Sequence, residues 1–230
     1  MDVAIMFSGG KDSTFAIAEA LKKGWNIKYL LSVKPTRTDC YLYHFATVEF
    51  TNLQAESLGL RHILVSCSVA DPKQEAQIVR KIVEKNPVEA IILGGVGLQE
   101  TQIKSIREAV FDMGVKVFAA HEGIDHAELV EKAIAEGYEI MLAAVASDGL
   151  DQRHLGLKLN KQTFPAFKKL SEKYGFHIGG EGGYYDTFVT DGPIFSKAVE
   201  LVNPKVVWNN DSGYLQAESA VLKEKVSVRN

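Results

Sequence analysis

Five uncharged apolar residues, Val3-Ala4-Ile5-Met6-Phe7, run straight into Ser8-Gly9-Gly10-Lys11-Asp12-Ser13. Phe15, Ile17, Ala18 and Leu21 then recur at helical spacing up to Gly24. This predicts a buried strand, a tight glycine turn and a helix stopped by a glycine C-cap. Such a turn offers bare backbone N–H groups at a helix N-terminus, where the macrodipole favours an anion. Paired glycines let the backbone approach a phosphate with no Cβ in the way. Ser8 and Ser13 add hydroxyls, Lys11 adds positive charge, and Asp12 is suited to hold Mg²⁺ against phosphate oxygens. A plain strand–turn–helix corner is the competing reading.

The string is neither a Walker A loop, which needs four residues between its first glycine and the Gly-Lys pair, nor G-x-G-x-x-G. In its place after the first strand it resembles the PP-loop of the ATP pyrophosphatase superfamily. That resemblance implies ATP cleavage between the α and β phosphates and adenylation of a substrate.

Further along, apolar runs at 27–33, 62–67, 90–93, 115–119 and 138–146 read as strands. Helices are predicted near 53–58, 72–86, 102–113 and 127–135, with glycine stops at Gly59, Gly114 and Gly137 and an Asp71-Pro72 start. The alternation argues for an α/β fold: a doubly wound, mostly parallel sheet covered by helices. In such a sheet ligands bind past the strand carboxyl ends, where strand order reverses. If the first strand neighbours the fourth, Gly94-Gly95 lies beside the Ser8–Ser13 turn and helps hold a nucleotide; a simple strand-to-helix turn also accounts for the pair.

Past Ala146 the texture changes to Ser, Asp, Gly and Asn, then one helix near 164–174 and short β-like runs at 184–189, 206–208 and 214–222. The expected division is residues 1–147, an ATP-binding domain, and 148–230, a smaller α+β substrate domain. Net charge is −3 with basic residues dispersed, which argues against a protein built to grip nucleic acid. The two cysteines, Cys40 and Cys67, are far apart, so reduced thiols in a cytoplasmic protein are expected. No signal peptide is visible and no apolar run approaches the roughly 18 residues of a membrane helix.

The second unusual stretch is Gly179-Gly180-Glu181-Gly182-Gly183-Tyr184-Tyr185-Asp186-Thr187, closed by Asp191-Gly192-Pro193. A glycine frame can hold a carboxylate and several N–H groups close to a ligand, with Glu181 orienting a substrate or accepting a proton. A flexible hairpin connection is the alternative. Together with Thr187-Phe188-Val189, the block resembles the C-terminal motif of diphthine–ammonia ligases. Tyr41-Leu42-Tyr43-His44, Gln54-Ala55-Glu56 with Leu58-Gly59-Leu60, and Gly149-Leu150-Asp151 with Leu155-Gly156 resemble the same family.

The resemblance implies amidation of diphthine, a modified histidine on translation elongation factor 2, by ammonia. ATP would adenylate the carboxylate, with AMP and pyrophosphate leaving and Mg²⁺ assisting. Ser8, Gly9, Gly10, Lys11, Asp12 and Ser13 would hold ATP. Glu181, Gly182, Gly183 and Thr187 would shape the diphthine pocket, with Tyr43, His44 and Gln102 near it. Lys11, Asp12 and Glu181 would serve the chemistry. No glutaminase segment is present, so free ammonium is the expected donor. The chain departs from the family at Tyr184, where a glutamate is usual, at Ala119-Ala120-His121, where a Pro-Leu-Trp-like loop is usual, and at Ser105, where an arginine is common. His121 reads as a surface loop histidine, with a place facing the cleft as the alternative, and Asp148 and Asp151 read as a solvated loop, with Mg²⁺ binding as the alternative. The rival readings are a tRNA-modifying or other adenylating enzyme, and an ATP-binding regulatory module without turnover.

Overall fold

The computed structural model describes residues 1–35, 47–68, 71–95 and 100–225. Tyr43 and His44 lie outside the described residues. Strands β1 (Asp2–Met6), β2 (Asn26–Pro35), β3 (His62–Cys67), β4 (Ala90–Leu93) and β5 (Lys116–Ala119) form a parallel sheet in the order β3-β2-β1-β4-β5. Strand β1 is central because its apolar run has two faces to bury. Ala4 and Met6 share a core with Val79 and Val83 of α3 (Pro72–Lys85) and Ile106 of α4 (Glu100–Ala109). Val3, Ile5 and Phe7 face the other way, onto Ala16, Ile17 and Ala20 of α1 (Lys11–Lys22). Each fully buried isoleucine or valine contributes about 1.5–3 kcal/mol relative to exposure. That is why five uncharged residues in a row mark a two-sided strand. The order reverses between β1 and β4, which opens a crevice at their carboxyl ends.

The second layer is an antiparallel sheet built on β6 (Glu139–Val145). Strand β6 pairs with β7 (Lys158–Leu159), β8 (Tyr185–Asp191) and β11 (Ser212–Gln216), and β10 (Lys205–Asn209) extends it from β11. The alternation of strands and helices predicts 138–146 as one more strand of the parallel sheet. Its location as a strand is right, but its partners run antiparallel. A run buried on both faces carries no signal of strand direction. The β-like stretch 214–222 divides into β11 and β12 (Ser219–Lys223), and β12 pairs separately with β9 (Ala198–Val202), a strand the sequence reading does not anticipate.

The two layers share a core. Phe15 of α1 packs edge-on against Tyr138 at 5.2 Å, beside residues of α5 (His126–Glu136) and α6 (Phe164–Tyr174). Helix α2 (Thr51–Leu58) is also tied across: Ser57 O accepts from Ser196 N and Oγ, and Ser57 Oγ donates to Lys197 O. Among the described residues no helix is long and apolar enough to cross a membrane.

Candidate active site

Residues Ser8–Ser13 form the expected turn at the carboxyl end of β1, and α1 begins with glycine as its N-cap, so the cap residue itself supplies no side-chain hydrogen bond. Gly9 has φ +81°, which favours glycine. A Cβ there would also lie 2.4 Å from Gln54 Oε1. The Gly9 carbonyl accepts twice, from Val189 N at 2.9 Å and from Gln54 Nε2 at 2.9 Å. Gln54 is fully buried, and its second amide hydrogen goes to Val189 O at 2.8 Å. Within the turn, Ser13 Oγ donates to Gly10 O at 3.1 Å, and the Ser8 and Ser13 hydroxyls lie 3.2 Å apart.

Thr187 belongs to the same device. It is buried, and its Oγ1 accepts the Lys11 N–H at 3.1 Å. A Cβ on Gly10 would press on Thr187 O at 3.1 Å, so β8 lies almost in contact with the turn. Gly94 closes the opposite side. An added Cβ would be 2.4 Å from both Asp12 C and Ser13 N, so the end of β4 packs onto the first turn of α1 only because it is glycine. Gln102 is buried in the first turns of α4, the helix after β4.

Lys11 and Asp12 form a close pair, Nζ to Oδ2 at 2.8 Å, with Lys11 almost entirely buried. Burial pushes the Asp12 carboxyl upward, but the Lys11 charge and hydrogen bond, with the nearby imidazoles of His126 and His121, outweigh it and hold the group below its ordinary value. The other oxygen, Asp12 Oδ1, is buried without a hydrogen-bond partner.

Two histidines complete the site: His121, for which the sequence reading favours a surface loop over the cleft, and His126, which it does not single out. His121 is buried completely and is not a surface residue. Its polar neighbours Glu122 and Gly123 suggest solvent, but the turn after β5 tucks the ring beneath α1 instead. Its Nε2 lies 3.2 Å from Asp12 O. A carbonyl can only accept, so Nε2 carries the proton and buried Nδ1 is left as an acceptor without a partner. Burial pushes this imidazole below its usual range, against the pull of the Asp12 carbonyl and carboxylate.

His126 opens α5 behind the N-cap Asp125, which accepts Ala127 N–H at 2.8 Å. Its Nδ1 is 3.3 Å from Glu181 Oε1 and 3.6 Å from Asp12 Oδ1, and its Nε2 is buried without a partner. Glu181 therefore meets Asp12 through one imidazole, although the two carboxylates come from distant stretches. The loop reaches that point because Gly179 lies against the His126 backbone, where a Cβ would be 2.8 Å from His126 C. Glu181, Gly182 and Gly183 are exposed, so the tip of the block faces solvent while its base is buried.

The loops after β1, β4 and β5 and the glycine block before β8 thus converge at one edge of the sheet. The arrangement offers a helix N-terminus whose Lys11 N–H is held by Thr187, a buried lysine and hydroxyls to a polyanion, next to two carboxylates and two imidazoles. Asp151, by contrast, is a local cap: it accepts Arg153 N–H at 2.9 Å and pairs with the Arg153 guanidinium, away from these groups. The clue to His126 was positional: it follows the fifth strand's carboxyl end, the edge where a doubly wound sheet binds ligands.

Comparison with known proteins gives a consistent result. The model of the diphthamide synthase N-terminal domain matches residues 1–117, and that of the diphthamide synthase C-terminal domain matches residues 125–223. The human protein named diphthine–ammonia ligase is 28% identical over 99% of this chain and 94% of its own length. The zebrafish (Danio rerio) protein of that name is 28% identical over 100% of this chain and 99% of its own length. The protein of that name from Schizosaccharomyces pombe is 26% identical, with all of this chain matching 40% of its length.

Proposed function

Because the chain belongs to the diphthamide synthase family, we propose that it is an ATP-dependent carbon–nitrogen ligase that amidates diphthine on translation elongation factor 2 with ammonia. The observation that carries this reading is the meeting of the Ser8–Ser13 turn with the Glu181 loop at His126. A nucleotide module alone has no use for a carboxylate presented beside its phosphate turn. A ligase that must activate one carboxylate and admit ammonium does.

A carboxylate is a poor acyl donor because oxide is a poor leaving group. Attack of the diphthine carboxylate on the α-phosphorus releases pyrophosphate and gives an acyl-adenylate. Ammonia then attacks the acyl carbon and AMP departs. In this scheme the glycine turn and the N–H groups of α1 that follow Lys11 bind the phosphates, with Ser8 and Ser13 supplying hydroxyls. Lys11 neutralises charge building on pyrophosphate. Asp12 Oδ1, buried and without a hydrogen-bond partner, fits an Mg²⁺ ligand. Among the described residues no three His, Cys, Asp or Glu side chains are grouped to hold a metal, so the ion would be shared with nucleotide oxygens, where it neutralises phosphate charge. Gly94 and Gly95 border the nucleotide; Glu181, Gly182 and Gly183 face the acceptor; Thr187 keeps the turn in shape. Tyr43, His44 and Gln102 are assigned to the acceptor side by resemblance.

The test mixes the protein with ATP, Mg²⁺, ammonium and elongation factor 2 bearing diphthine. AMP is followed by chromatography and the modified histidine by mass spectrometry. AMP release together with conversion of carboxylate to amide is expected. ATP binding with neither product would overturn the diphthine assignment and leave a nucleotide-binding protein.

A further inference from the structure

The Glu181 loop poses a physical problem. Its tip is exposed and flanked by Gly182 and Gly183 at φ +91° and +81°, a backbone that by itself leaves a carboxylate poorly fixed. Its base is firm: Tyr185 Oη donates to Ile178 O, and Gly179 N and Gly180 N donate to Nδ1 and O of His177. Between firm base and free tip, the Glu181 carboxylate meets His126 Nδ1 in an ion-pair contact at 3.3 Å. The His126 side chain is only 3% exposed and sits in the first turn of a three-turn helix packed into the shared core, so it is the rigid partner of the pair.

We infer that His126 is a positioning residue: its Nδ1–H holds the Glu181 carboxylate over the start of α1, beside Asp12, so that acceptor loop and phosphate turn work in one fixed geometry. This rests on the ligase reading above. A carboxylate can only accept, so the arrangement requires the proton on Nδ1. It leaves Asp12 Oδ2 to Lys11, with Oδ1 buried 3.6 Å from the same imidazole and without a hydrogen-bond partner. It also explains Gly179, since any side chain there would push the loop off His126.

The amide nitrogen of asparagine superimposes on histidine Nδ1, and that of glutamine on Nε2. Amidation is therefore measured for the wild type, His126→Asn, His126→Gln and His126→Ala, with ATP affinity titrated separately. Misplacing a reacting group by about 1 Å costs roughly 10²-fold in rate. The expected result is a fall of that order in kcat for His126→Ala and His126→Gln, recovery of most of it in His126→Asn, and unchanged ATP affinity throughout. The double variant His126→Ala/Glu181→Ala is expected to be no slower than Glu181→Ala alone. Glutamine rescuing in place of asparagine, asparagine no better than alanine, or all four proteins equal in rate would each overturn the assignment. A second readout needs no acceptor. The ¹⁵N spectrum of the protein should show a proton on His126 Nδ1 whose signal moves in Glu181→Gln; a ring protonated on Nε2 alone overturns the inference. A wild type that makes no amide yet shows this coupled Nδ1–H would sink the ligase reading and keep the placement of Glu181. A wild type that amidates while His126→Ala keeps pace does the reverse.

Discussion

Gly94→Ala is the sharpest test of how the phosphate turn is held. The backbone of Gly94 lies outside the left-handed region, so alanine fits its conformation. The cost is steric alone. The new Cβ would stand 2.4 Å from Asp12 C and Ser13 N, 2.7 Å from Asp12 O, against a normal contact of 3.4 Å or more. These are backbone atoms in the first turn of a helix and cannot rotate away. Relief therefore moves β4 and the start of α1 apart by about 1 Å. Overpacking of this kind costs about 2 kcal/mol, on the order of a 6 °C fall in Tm for a chain this size. The same 1 Å at the phosphate-binding N–H groups lowers turnover by roughly 10²-fold. Gly114→Ala is the control: its φ is +68° with no atom within 4 Å of the Cβ, so it costs about 1 kcal/mol of strain and leaves activity intact. Melting by circular dichroism and AMP release read both effects. A Gly94→Ala protein with wild-type Tm and ATP affinity would refute the packing argument.

Lys11→Ala is expected to abolish AMP formation while circular dichroism stays native, because it removes the buried charge beside Asp12. Thr187→Val should lower stability by about 1–3 kcal/mol in urea, because the Lys11 N–H loses its acceptor, and Thr187→Ser should restore most of it. His121 supplies a pH signature. Its folded-state value lies below the ordinary 6.5, so the unfolded chain binds the proton more readily, and stability present above pH 6.5 is lost as pH falls below it. The urea midpoint should therefore drop between pH 6.5 and 5 in the wild type and less so in His121→Gln, which keeps a donor for the Asp12 carbonyl.

What the sequence made legible was local. Asp71-Pro72 announces a helix start, and Asp71 Oδ1 does accept Gln74 N–H at 2.9 Å. Ala90–Leu93 is a strand with the expected bounds because its apolar run is short and sharply delimited. The glycine turn at Ser8–Ser13 is where strand and helix patterns abut. What stayed hidden depends on distant partners. Gln54 stands out only within the family resemblance, yet it bonds Gly9 and Val189 together. His126 looks like any residue at a helix start until Glu181 arrives beside it. His121 carries the composition of a surface loop but lies under α1, a tertiary fact that outweighs its neighbours' polarity. Strand β6 shows the same limit: burial was evident, direction was not.

The doubly bonded Gly9 carbonyl has a consequence for how the protein comes into being. Its two donors, Gln54 Nε2 and Val189 N, and the Thr187 brace on Lys11 lie far downstream of the turn they set. Chains leave the ribosome amino end first, at about 5–20 residues per second. The parallel sheet can therefore assemble around β1 while the phosphate turn is still missing its brace. A nascent chain stalled before β8 would carry the motif without its final shape, and a functional nucleotide site would mark a polypeptide made at least through β8.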